Sequence, residues 1–247
     1  MTIATSLRSG DRLSAVIFDM DGVIVDSHPA HRRAWRQFLQ NLGREVSDHD
    51  LDFILDGRKR CDILRHFLGD LSETELLEHG RRKDEFFQQS ALEVQPIQGV
   101  SAFVRLLKRS GVLTAVATSA SRARTRSTLE RLHLSEYFSA TISGNDIAQG
   151  KPDPAIYVLA CRRLGVPPEN ALAIEDAVSG IEAARGAGLI CLGVASGEPA
   201  ENLRSAGAVH VIENFEGLSV RKLRALFREA RAAETANPTS DLVPIGP

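Results

Sequence analysis

The stretch Ala15-Val16-Ile17-Phe18-Asp19-Met20-Asp21-Gly22-Val23-Ile24 is an apolar run that ends abruptly in two carboxylates one residue apart. Read as a short buried strand, it delivers Asp19 to one edge of a sheet, and Gly22 permits a sharp exit after Asp21. If extended geometry persists that far, alternation aims both side chains the same way. Two carboxylates placed together need a cation, or one of them must hold a proton. A hard, oxygen-ligated ion such as Mg²⁺ meets the first requirement. The alternative is a strand end followed by an ordinary Asp-Gly turn.

Outward from this run, further short apolar segments lie at 113–117, 140–142, 171–174, 190–194 and 208–212. Helical patterns separate most of them, at 100–108, 122–132, 154–164, 178–187 and 218–230. Gly111, Gly165 and Gly188 fall where helix C-caps are wanted. Alternating strands and helices predict an α/β domain with a mostly parallel sheet. Residues 28–95 break the rhythm: they hold helical patterns such as 31–42 and 61–68, a highly charged stretch at 74–89 and no convincing strand. Such an insertion after the first strand hangs over the strand's carboxyl end, where open α/β sheets bind ligands. It ends at Val94-Gln95-Pro96, and Pro96 with Gly99 suggests a hinge or linker. The segment 234–247, rich in Pro, Thr and Ser, reads as a disordered tail.

The 247 residues allow one large or two modest domains. A net charge of -2 gives no strong pull toward nucleic acid or anionic lipid, so a small anionic substrate would have to meet a local cluster of cations. No run approaches a membrane span and the N-terminus lacks a signal pattern, so a cytoplasmic protein is expected. Cys61, Cys161 and Cys191 read as reduced packing residues.

Three later segments place polar groups after a predicted strand. Thr118-Ser119 ends one in hydroxyls, which can hold phosphate oxygens or merely belong to a helix cap at Ser119 or Ser121. Gly150-Lys151-Pro152-Asp153-Pro154 holds a lysine between a glycine and a proline. There it would neutralise a carboxylate and phosphate charge, or sit solvated in a loop. Glu175-Asp176 follows another apolar run, with Asp176 either a metal ligand or a helix N-cap. Four such signals in order, all near exits of one sheet, favour a single site.

These four segments, Phe18 to Ser27, Ala117 to Ser119, Lys151 to Pro154 and Ile174 to Ala184, together resemble the motifs of the haloacid dehalogenase-like hydrolase superfamily. The similarity spans 13–215 and is greatest to the branch of β-phosphoglucomutase and sugar-phosphate phosphatases. The resemblance implies a Rossmann-like core from 1–27 and 96–233, and a mobile helical cap from 28–95. It implies Asp19 as the nucleophile that becomes an aspartyl-phosphate, and Asp21 as general acid/base. Thr118 or Ser119, preferably Ser119, holds the phosphoryl group, and Lys151 offsets its charge. Asp19, Asp21 (through its carbonyl) and Asp176, supported by Glu175, hold Mg²⁺. An aspartate at position 21 resembles the phosphoryl-transfer members rather than the dehalogenases.

In the cap, Arg60 matches the family branch's cap arginine, His31 its hinge histidine and Lys83 its cap lysine. On charge pattern alone, Arg58, Lys59 and Lys83 read as a solvated run and His31 as a surface helix residue. Mutases of this branch carry Ser-Ala-Ser-(Lys/Arg)-Asn at the second motif. Here it is Ser119-Ala120-Ser121-Arg122-Ala123, so Arg122 is kept to reach a distal phosphate and the asparagine is missing. That departure favours a phosphatase acting on a small phosphate ester, a sugar phosphate by resemblance, over a β-phosphoglucomutase. A non-catalytic phosphate-binding response module is the third reading, opposed by the insertion and the Asp19/Asp21 pair. A monomer is expected, with a dimer as the alternative.

Overall fold

The computed structural model describes residues 12–236 of the chain. Its six-stranded sheet is formed by β1 (Ala15–Phe18), β4 (Leu113–Ala117), β5 (Ala140–Ile142), β6 (Ala171–Glu175), β7 (Ile190–Val194) and β8 (His210–Ile212). The order is β5-β4-β1-β6-β7-β8 and every pairing is parallel. The sheet is covered by α5 (Val100–Arg109), α6 (Arg122–Arg131), α7 (Ala155–Leu164), α8 (Val178–Gly186), α9 (Ala200–Ser205) and α10 (Val220–Ala236). The predicted α/β class holds.

Strand β1 shows why the central runs are unbroken hydrophobics. Val16 and Phe18 point into one core, with Phe103, Leu107, Leu223 and Phe227. Ala15 and Ile17 point into another, with Ile156, Tyr157 and Ile181. Both faces are buried, so no polar alternation survives in the sequence. Sheet order reverses beside β1: the chain runs outward through β4 and β5, then returns to β6 on the other side. The crevice at the carboxyl ends there is where such sheets take ligands. Asp19 and Asp176 are the residues that leave β1 and β6 at that point.

Between β2 (Val25–Asp26) and β3 (Gln95–Pro96) lie four helices: α1 (His28–Asn41), α2 (Asp48–Leu55), α3 (Arg60–Leu68) and α4 (Glu73–Ser90). They enclose a small core of their own, including Trp35, Phe38, Leu51, Ile54 and Leu64. Ser47 with Asp50 and Ser72 with Glu75 make reciprocal capping boxes that start α2 and α4. Strands β2 and β3 pair antiparallel, Val25 with Pro96 and Asp26 with Gln95, so both connections cross as one ribbon. The interval expected to lack strands therefore ends in one at Gln95. Helix α10 also runs through Glu234 to Ala236, the first residues of the expected tail. The remainder, 237–247, lies outside the described residues.

Among the described residues no helix is long and apolar enough to cross a membrane. Cys161 and Cys191 are buried free thiols, and Cys61 is half-buried and free.

Leu51 is fully buried in the helical layer's core. Leu51→Ala is expected to lower stability by about 2–4 kcal/mol through lost contacts and a residual cavity, measured by urea unfolding.

Candidate active site

The sheet fixes where Asp19 leaves it: its N–H donates to the Ile174 carbonyl of β6 at 2.9 Å. The next turn is tight. Gly22 N–H donates to Val25 O at 2.7 Å, Ile24 N–H returns to Met20 O at 2.9 Å, and Gly22 adopts φ of 74°. A side chain at Gly22 would be strained and its Cβ would lie 1.9 Å from Asp176 Oδ2. The glycine is needed for both reasons, the left-handed turn and the closeness of the two acidic segments.

Asp19, Glu175 and Asp176 are all buried, and each offers an oxygen within 4.8 Å of the others. Lys151, 2 % exposed, donates from Nζ to Asp19 Oδ1 at 2.6 Å and to Glu175 Oε1 at 2.5 Å. Tyr157 donates its hydroxyl to the same Glu175 oxygen. Burial pushes Asp19 up to about 7 against the pull of Lys151, with Glu175 and Asp21 adding to the rise. Burial likewise raises Glu175 and Asp176. Burial alone would depress Lys151, but the charges of Asp19 and Glu175 hold it protonated far above its usual range. Three carboxylates against one ammonium make an all-oxygen donor set with a charge deficit, which fits a hard divalent cation such as Mg²⁺.

Asp21 faces the other way electrically. Arg124 donates to both its oxygens, from Nη1 to Oδ1 at 2.7 Å and from Nη2 to Oδ2. Ser27 Oγ donates to Oδ1 at 2.6 Å. Burial alone would raise Asp21, yet the Arg124 guanidinium holds its carboxyl well below the usual carboxylate range. His31 Nε2 stands 3.6 Å from Oδ1, while its Nδ1 meets Lys83 Nζ at 3.1 Å. Burial and the Lys83 charge pull His31 down to about 3. It is therefore neutral, with Nδ1 accepting from Lys83 and the ring proton on Nε2.

A cleft of about 270 Å³ opens over these groups, lined from the sheet edge and from α1 to α4. Thr118 and Ser119 line it at the end of β4. Thr118 Oγ1 accepts the Ala120 N–H at 3.1 Å, and Ser119 Oγ donates to the Gly57 carbonyl at 2.5 Å. Ser121, not Ser119, caps α6. Asp176 is not a helix cap: its Oδ2 meets His28 Nε2 at 3.1 Å. The first turn of α8 is instead satisfied from the helical layer, since Ser179 N–H donates to Asp56 Oδ1 at 3.0 Å and Ser179 Oγ donates to Asp56 O.

The cap cations divide. Arg60 lines the cleft at the start of α3 and pairs with Asp84. Lys83 belongs to no solvated run: it is 3 % exposed, 5.3 Å from the Trp35 ring centre and 4.9 Å from that of Phe87. Nor is His31 a surface residue: it stacks on Phe87 at 4.4 Å. Lys59 Nζ crosses to the carbonyls of Ile147 and Ala148 at 2.8 and 3.0 Å. Arg122 does not enter the cleft: its side chain is 69 % exposed and pairs with Asp146 at 2.8 Å. Arg124, two residues on, does enter. Sequence reading missed Arg124, His28 and Tyr157. For Arg124 a signal existed, because two residues turn a helix by about 200° and only one of the pair can face inward.

Burial pulls Lys83 from the ordinary 10.5 down to about 7, with the Arg124 charge adding to the pull. Between those values the unfolded chain binds more protons than the folded one, so this residue's contribution to stability rises with pH through that window. At and below pH 7 its buried charge opposes folding. Lys83→Met is expected to raise Tm at pH 6.5, by roughly 2–4 °C for each kcal/mol relieved, and to lose that advantage toward pH 10. Calorimetry across the range reads it, and a pH-independent difference would refute the buried charge.

Comparisons with known proteins identify relatives along most of the chain. The family profile described as haloacid dehalogenase-like hydrolase matches residues 13–188. A phosphorylated carbohydrates phosphatase of Thermotoga maritima is 34 % identical over 218 residues, covering 85 % of this chain and 99 % of the relative. The β-phosphoglucomutase of Bacillus subtilis is 30 % identical over 232 residues, covering 90 % and 99 %. The solved structure of CbbY from Rhodobacter sphaeroides in complex with phosphate superposes with a TM-score of 0.74 at 29 % identity, covering 85 % of this chain and 99 % of that one. A profile match over most of the chain, relatives matched along nearly their whole length, and four motifs meeting at one sheet edge place this chain in the haloacid dehalogenase-like hydrolase family.

Proposed function

We propose that the enzyme is a Mg²⁺-dependent phosphoric monoester hydrolase that acts on a small phosphorylated metabolite, a sugar phosphate, through an aspartyl-phosphate on Asp19. The observation that carries this reading is Lys151 Nζ held 2.6 Å from Asp19 inside a buried acidic cluster. A lysine so placed works against the rise that burial imposes on Asp19 and favours the carboxylate form that can attack. The phosphatase relative and the missing asparagine at Ala123 favour hydrolysis over isomerisation.

In the first step an Asp19 oxygen bonds to phosphorus as the ester P–O bond breaks. For this step Asp21 has to leave Arg124 and take up a proton from solvent, which it then gives to the departing oxygen. In the second, water attacks the same phosphorus, Asp21 takes its proton back, and inorganic phosphate leaves with Asp19 restored. Charge develops mainly on the phosphoryl oxygens, so positioning and electrostatics dominate the chemistry. In this reading Lys151 and the Ser119 hydroxyl meet those oxygens, Ser119 after exchanging its present Gly57 partner. Asp19, Asp176 and the Asp21 carbonyl, with Glu175 in support, would hold Mg²⁺, which would supply positive charge to the phosphoryl group.

The four helices serve as a cap over residues 28–95 that excludes water and reads the non-phosphate part of the substrate, with Arg60, Lys83 and His31 facing it. In this reading the enzyme works as a cytoplasmic monomer on a diffusible ester.

Asp19→Asn is expected to abolish release of phosphate from p-nitrophenyl phosphate, and EDTA to do the same reversibly on adding Mg²⁺. Lys151→Ala should lower kcat by about 10²–10³-fold, as loss of an electrostatic partner in a shielded site does. Isomerisation of a hexose phosphate without phosphate release would replace this reading by the mutase one. Turnover surviving in Asp19→Asn would remove the nucleophile.

A further inference from the structure

Lys59 lies outside the four motifs. Its backbone is fixed to the helical layer at the start of α3, where its carbonyl accepts the Asp62 N–H at 3.0 Å and the Ile63 N–H at 3.2 Å. Its side chain leaves that layer and ends on the core. There Nζ donates to the carbonyls of Ile147 and Ala148. An ammonium on two carbonyls makes charge-assisted bonds, stronger than neutral ones.

Both carbonyls belong to the loop that leads from β5 to Lys151. The core itself holds the first part of that loop: Asp146 accepts the Ser143 N–H at 3.0 Å and an Arg163 N–H at 2.9 Å. The second part is gripped from the helical layer, by Lys59 Nζ at Ile147 and Ala148 and by the lysine's stem at Gly150. A Cβ at Gly150 would stand 2.6 Å from Lys59 Cγ, 3.1 Å from its Cδ and 3.2 Å from Asp62 Oδ2. All three are atoms of the helical layer. Gly150 has no positive φ, so the glycine serves a close approach and not a left-handed turn.

Lys151 follows directly. Its side chain is fully buried, and the same stretch of the helical layer covers it: a Cβ at Gly57 would stand 3.4 Å from Lys151 Cδ. Its ammonium has to reach Asp19 and Glu175 together. A catalytic group misplaced by about 1 Å can cost ~10²-fold in rate.

We propose that Lys59 is a positioning residue, which splints the 147–150 loop against α3 and so holds Lys151 at Asp19. It acts through Lys151 and not on the ester. The inference rests on the phosphatase reading and adds that the placement of the motif lysine depends on a contact from the helical layer. With that contact broken, Lys151 loses its splint.

The test is steady-state release of phosphate from p-nitrophenyl phosphate by Lys59→Ala, Lys59→Arg, Gly150→Ala and the pair Lys59→Ala with Lys151→Ala. Lys59→Ala should lower kcat by about 10–100-fold and leave KM within about twofold of wild type. Lys59→Arg keeps donors for both carbonyls and should recover most of the loss. Gly150→Ala should lower kcat in the same way, through a methyl that meets the helical layer; it carries the test if Lys59→Ala does not fold. In the Lys151→Ala background, Lys59→Ala should change kcat by no more than about twofold, because its effect passes through the missing amine. A purely structural role would lower Tm and leave kcat per folded enzyme unchanged, which overturns the proposal. A full additional loss in the Lys151→Ala background overturns it too, as does a rise in KM at constant kcat; both leave the phosphatase reading intact. Wild type that releases no phosphate removes the phosphatase reading and the proposal with it.

Discussion

One ammonium among three buried carboxylates organises this molecule. Lys151 reaches Asp19 and Glu175 from a loop more than a hundred residues downstream of the first. It can do so only because β1 and β6 are neighbours in register, with Phe18 opposite Ile174. The buried strands β1 and β6, Tyr157 beneath Glu175 and Gly22 beside Asp176 all serve to bring like charges together out of water. Such an arrangement is unfavourable by itself and becomes sensible as a place for cationic and phosphoryl chemistry.

The cleft is electrically two-sided as a result. Its floor is acidic and short of cations. Its roof, built from α1, α3, α4 and the start of α6, carries Arg60, Lys83 and Arg124 against the carboxylate of Asp84. A phosphate ester is complementary to both sides at once, given a metal below and its own negative charge above. His31 stands at the seam, kept neutral by burial and by the charge of the lysine it accepts from.

Much of this was legible in the sequence, for identifiable reasons. The strands were readable because burial on both faces leaves uninterrupted apolar runs, and the acids marked their carboxyl ends. Helix α2 was not, because its eight residues carry three aspartates that break up the apolar stripe. The two-residue strands β2 and β3 have no period to detect. Arg122 and Arg124 were indistinguishable while the cap of α6 stood open between Ser119 and Ser121. Once Ser121 is the cap, helical phase sends Arg124 inward. Lys83 sits in a charged stretch, and its burial comes from Trp35 in α1 together with Phe87, which local composition cannot report. No sequence signal marked His28, whose value depends wholly on where Asp176 lies.

The Asp56–Ser179 contact ties the two parts of the protein in a way that bears on how new specificities arise in it. Helix α8 begins without a capping side chain of its own and borrows its acceptor from the loop between α2 and α3. Lifting the helices away returns that N–H to water and leaves the first turn after Asp176 unsupported. The helical layer is thus no interchangeable lid: a transplant from a relative would have to bring an oxygen to the same spot, or the donor loop and the recipient helix would be mismatched from the start.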